Sequence, residues 1–150
     1  MNGLEAFDGR LAALIANLSP ATRKEMARNI AKRLRASQQQ NIKRQQAPDG
    51  TPFAPRRAQP VREKKGRVKH EMFKKLRTAK YMKAKGSADD AVVEFTGKVQ
   101  RMARVHHYGL RDRPARGVKG VLYEKRPLFG LNKSDQLQIE KMVINAIYIK

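Results

Sequence analysis

Leu4, Phe7, Leu11, Leu14, Ile15 and Leu18 recur at intervals of three and four, which predicts a helix over roughly residues 3 to 18 carrying one apolar stripe. Ser19 followed by Pro20 reads as an N-cap with proline at the first helical position, where its missing N–H costs nothing. In the second helix that starts there, Met26, Ile30 and Leu34, with Ala27 and Ala31 beside them, continue an apolar stripe. Arg23, Lys24, Arg28, Lys32, Arg33 and Arg35 cover much of the remaining circumference. The stripe fades across Ser37 to Gln46, a polar run broken only by Ile42. With a joint as short as Leu18 to Pro20, the two segments predict a helical hairpin.

From Ala47 to Gly66 the pattern breaks, because Pro48, Asp49, Gly50, Pro52, Pro55, Pro60 and Gly66 interrupt any regular pairing. A long Pro-rich arm at about residues 47–67 is expected, of the kind that is functional or orders on contact. Met72, Phe73 and Leu76 predict a short helix after it, and Tyr81 to Lys85 lead into a strand. Gly86 to Asp90 read as a turn, and Ala91 to Phe95 as the second strand of a hairpin. Val99, Met102, Ala103 and His106 stand at helical spacings, predicting a short helix that closes at Gly109. A basic loop over 110–121 precedes a short strand at Leu122 and Tyr123. A last helix is marked by Ile139, Met142, Val143, Ala146 and Ile147, with Ser134 as its expected N-cap. The expectation is an α+β fold: an N-terminal helical hairpin, a small antiparallel β-sheet with a long basic loop, and a C-terminal helix.

Length then sets the domain count. A chain of 150 residues, 40% hydrophobic, supplies one core, so residues 1–150 are expected to form a single domain. Its 34 Lys and Arg against 13 Asp and Glu give a net charge of +21, which calls for an anionic partner. Thirteen of the basic residues lie within residues 51–85, opposed there by Glu63 and Glu71 alone. Cysteine is absent, which excludes disulfides, thiolate nucleophiles and Cys-type zinc sites. Neither a signal peptide nor a membrane-spanning run is expected.

Candidate chemistry is sparse. His106 and His107 are the usual type for metal binding or proton transfer, but neighbours on a helix point about 100° apart and cannot share one ion. The simpler reading packs or hydrogen-bonds one ring and leaves the other exposed. Asp89 and Asp90 follow Gly86-Ser87 in a turn, where Asp favours local backbone hydrogen bonds. The usual nucleophile, zinc and phosphate-loop motifs are missing, so no catalytic residue, metal or cofactor is expected. The arm cations Arg56, Arg57, Arg62, Lys64, Lys65 and Arg67 are the expected partner-binding residues. They would neutralise either phosphates or an acidic protein surface. With aromatics at 6% and no tryptophan, platforms for stacking single strands are poorly supplied.

Several segments in series resemble the phage virion morphogenesis family, which includes tail completion proteins of contractile-tailed phages. They are Leu34 to Gln39, Pro48-Asp49-Gly50, Met72 to Arg77, Val93 to Gly97, Ala103-Arg104-Val105-His106-His107-Tyr108-Gly109, and Arg126 to Leu131 with Gly130 inside it. Leu128-Phe129 stands where two leucines are commoner in the family. The resemblance implies a structural protein of a bacteriophage virion, without enzymatic activity, acting at the head-proximal end of the tail or in the neck. It further implies a ring-shaped homo-oligomer, a hexamer being favoured, with tail tube, tail terminator or neck and connector proteins as partners. Assembly would proceed in the host cytoplasm, and no membrane is implied. A basic accessory protein that binds DNA is the alternative. Removal of residues 52–66 is expected to leave the protein folded while blocking the joining of tails to heads.

Overall fold

The computed structural model describes residues 3–56 and 71–148, with side chains from residue 8 onward. Among the described residues, four helices and four short strands follow one another as α1 (Gly3–Ala16), α2 (Pro20–Lys43), β1 (Met82–Gly86), β2 (Ala91–Phe95), α3 (Gly97–Tyr108), β3 (Arg111–Asp112), β4 (Val121–Leu122) and α4 (Lys133–Tyr148). The strands form two two-stranded sheets, β1 with β2 and β3 with β4, so the expected α+β class holds while the single expected sheet is two ribbons. None of the described helices is long and apolar enough to cross a membrane.

The chain separates into two compact units, each made of distant segments. The first joins Met1–Ala36, Lys83–Glu94 and Leu131–Lys150; the second joins Ser37–Met82 and Phe95–Gly130. In the first, α1 lies against α4, and Ala27, Ile30, Ala31 and Val143 are buried. Gly86 rests on α2 so closely that an added Cβ would run into the backbone of Ala27 and Arg28. Small residues at 27 and 31 let the backbones approach this far. In the second, Ile42, Ala47, Phe53, Leu76, Met82, Phe95, Ala103, Val105 and Leu128 form the core.

Local chemistry sets the element ends. Ser19 Oγ accepts the Thr22 N–H at 3.1 Å, the N-cap expected before Pro20. Gly109 takes the left-handed conformation (φ 68°) that ends α3, its N–H bonding the Val105 carbonyl, as expected for a glycine after the last turn. Three expectations need correction. The polar run after Ser37 is helix as far as Lys43, because Gln38, Asn41 and Ile42 continue its buried face. Residues 73–81 form turns rather than a helix, since Phe73 adopts φ 65° and cannot propagate one. The cap of α4 is Asn132, not Ser134: Asn132 Oδ1 accepts the Asp135 N–H at 2.8 Å while Asp135 Oδ2 accepts the Asn132 N–H at 3.1 Å.

Candidate assembly site

Of the residues singled out on family resemblance, Pro48-Asp49-Gly50, Ala103 to Gly109 and Arg126 to Gly130 belong to the second unit, whereas Leu34 to Ala36, Val93, Glu94 and Leu131 belong to the first. Pro48, Asp49 and Gly50 form a tight turn in which Asp49 Oδ1 accepts the Thr51 N–H at 2.9 Å. That bond holds the Asp49 carboxyl below its usual range, and Gly50 supplies φ 89°. Pro48 then packs on Gly130, where an added Cβ would sit 3.1 Å from the proline ring. Gln38 closes the same contact from α2. Its Nε2 donates to the Gly130 carbonyl at 3.0 Å, and its Oε1 accepts the Gly130 N–H at 3.2 Å.

Arg126 is the central polar group. It is buried, and its Nε and Nη2 donate to the carbonyls of Ala54 and Pro55, each at 2.9 Å. A guanidinium suits this position because its planar fork serves two carbonyls at once and is weakly hydrated. The Arg126 N–H donates to the His106 carbonyl at 2.8 Å, which ties the segment to the end of α3. Residues 47–55, expected as the start of a loose arm, are therefore built into the unit: Ala47 and Phe53 are buried, and Phe53 meets Phe73 edge-on at 5.6 Å. On the other side of the arm, Gln45 accepts the Met72 N–H and donates to the Met72 carbonyl, both at 2.8 Å. Arg56 is exposed where the packed segment ends. Arg57, Arg62, Lys64, Lys65 and Arg67 lie outside the described residues.

Both histidines are half-buried, which corrects the expectation that one would be exposed. His106 packs edge-on against Phe73 and Tyr123, with centroids 5.0 and 4.9 Å away. Burial, aided by the Arg126 charge, lowers its pKa against a smaller opposing effect of Asp112. His107 Nδ1 accepts the Leu128 N–H at 3.1 Å, and burial followed by the Lys125 charge lowers its pKa too. Both shifts favour the neutral ring, His106 serving in packing and His107 as an acceptor. No cluster of three metal-ligating side chains occurs among the described residues. Ala103 is buried, whereas Arg104 and Tyr108 are exposed on the outside of α3. The motif therefore divides into a packed half and a surface half.

Sequence reasoning placed Gln38 in the Leu34 to Gln39 segment without giving it a role, and passed over Gln45. Their signal was a polar run sitting where the helical stripe required burial. It also passed over β3, whose two residues, Arg111 and Asp112, have no strand-forming character of their own.

Comparison with known proteins supplies the identity of this arrangement. No solved structure matches the chain. The tail completion protein S of Escherichia phage P2 is 43% identical over 145 residues, covering 96% of this chain and 97% of that protein. The model of the phage virion morphogenesis family matches residues 3–148, and the chain belongs to that family.

Proposed function

We propose that this protein completes the tail of a bacteriophage at its head-proximal end and supports head–tail joining as a non-enzymatic ring oligomer, a hexamer being the favoured form. The observation that carries this reading is the 43% identity with a tail completion protein over 96% of this chain and 97% of that one. The second unit supports it by fixing a base for the arm: Arg126 holds the carbonyls of Ala54 and Pro55 on one side, and Gln45 holds the Met72 backbone on the other. Between these points the sequence supplies Arg57, Arg62, Lys64, Lys65 and Arg67 as cations for a tube, terminator or connector protein, and Arg56 precedes them. A closed ring would let one small protein cap a rotationally symmetric tail.

The test is complementation. A lysate made without this gene should contain heads and tails that do not join until purified protein is added. A deletion confined to residues 58–66 should fold yet fail to restore joining. The deletion must start beyond Arg56, because Phe53, Ala54 and Pro55 are part of the packed unit. Joined particles in the lysate without added protein would refute the reading. Light scattering on nuclease-treated protein at moderate and high salt tests the ring, which requires a discrete oligomer that survives salt.

A second reading, a DNA-binding accessory protein, is favoured by one observation. On α2, Lys24, Arg28, Lys32 and Arg33 are exposed, and no large hydrophobic of that helix is exposed with them. Such a face suits phosphates, and it requires an affinity for duplex that falls steeply with salt.

A further inference from the structure

Apart from the influence of Asp112 on His106, the ribbon of β3 and β4 has no part in the site described above. Over residues 110–122 it carries Arg111, Arg113, Arg116 and Lys119, all exposed. Among these cations stand three exposed large hydrophobics, Leu110, Val118 and Leu122, the last at 55% exposure. Its one acid, Asp112, is held by Arg101 Nη2 at 2.8 Å, which also fastens the ribbon to α3. The register pairs Arg111 with Leu122, so a guanidinium and an isobutyl group stand side by side on one face; Asp112 and Val121 pair on the other. Gly120 lies against the methylenes of Arg111 and Gly117 turns the chain at φ 78°, giving the loop a defined path.

We propose that this ribbon is a docking finger for a different virion protein, one that presents an acidic rim around an apolar pocket. This proposal rests on the assembly function above and names a surface separate from the arm. Three arguments select the occupant. Exposed apolar side chains beside arginine match the centre of protein interfaces, which is more apolar than the surrounding surface and retains Arg while losing most other charges. A phosphate backbone would neutralise the arginines but leave Leu122 and Val118 in water. A second copy of this chain, at +21, offers no matching excess of acidic groups.

The probe is phage tails purified from a lysate made without this gene, incubated with purified protein and sedimented. Two double variants are compared with wild type: Val118→Ser with Leu122→Ser, and Arg113→Glu with Arg116→Glu. All four positions are at least partly exposed in the ribbon, and thermal melting checks that both variants remain folded. Both should melt like wild type and lose binding by about tenfold or more. Tail binding equal to wild type by either variant overturns the finger while leaving the assembly function intact. Failure of wild type to bind tails overturns both. Loss of duplex DNA binding in the arginine variant alone, with tail binding unchanged, would make the partner a nucleic acid. A fall in oligomer mass in both variants would make it a second copy; each of these overturns the proposal.

Discussion

In the first unit, Ala27, Ile30, Ala31 and Val143 are the described apolar side chains that reach full burial, while Leu14, Leu131, Leu137, Ile144 and Tyr148 remain at the surface. Among the described residues, the second unit buries nine apolar side chains, including Ile42, Met82 and Leu128 almost completely, and braces them with Gln38, Arg126 and His107. The contrast separates two uses of hydrophobicity. Where large residues are enclosed and Gln38, Arg126 and His107 are hydrogen-bonded among them, the structure is specified from within. Where two alanines stand in the core beside Ile30 and Val143 and leucines line the outside, large apolar side chains are left exposed. Leu137, Ile144 and Tyr148 fall at i, i+7 and i+11 on α4, one stripe of that helix.

The largest expected effect comes from breaking the stronger core. Leu128→Ala, at a position 1% exposed, should cost about 2–5 kcal/mol in urea denaturation. Leu137→Ala, at 50% exposure, should shift stability by no more than about 0.5 kcal/mol and lower head–tail joining instead. Arg126→Met comes next: it leaves the Ala54 and Pro55 carbonyls without their donors, a loss of about 2–3 kcal/mol, and should expose the root of the arm to proteolysis. Glycine substitution then probes each unit by close approach. Gly109→Ala meets both a φ of 68° and the Lys125 backbone nitrogen at 2.8 Å, and should cost about 2 kcal/mol. Gly86→Ala presses the hairpin off α2 and should cost the first unit about 1–3 kcal/mol, read as a lower melting temperature.

The smallest effect is a pH slope belonging to the second unit. His106 and His107 have folded pKa values below the ordinary 6.5, so between those values and 6.5 the unfolded chain binds more protons than the folded one. Stability therefore rises with pH through that window and falls on acidification. The urea midpoint should drop between about pH 7.5 and about pH 5, and His106→Phe, which keeps ring packing without a titrating group, should flatten part of the slope.

Much of the fold was legible because local rules and burial agreed: Ser19-Pro20 opened α2, Ala91–Phe95 is a strand, and Gly109 closes α3. It became illegible where tertiary contacts overrode local preference. Gln38 and Asn41 look like surface residues, yet both are buried, and Gln38 finds its partner 92 positions away in Gly130. Phe73 sits in a run with helical spacing, but its positive φ follows from lodging the ring between Phe53 and His106. In the site itself, the motif residues were identifiable by resemblance. That Arg126 faces inward to bond backbone while Arg104 faces out could not be read from a string in which both are simply cations.

The alternation of chain segments between the units also orders their formation in time. The last stretch of the second unit ends at Gly130, whereas the first requires α4, which begins at Lys133. During synthesis at about 5–20 residues per second, the second unit has its whole sequence for about one to four seconds before the first has its own. Throughout that interval α1 lacks the helix it rests on. A chain stopped short of Lys133 would possess the braced unit and the arm, yet never the apolar stripe of α4. Nascent and truncated chains thus lack a surface that finished ones have.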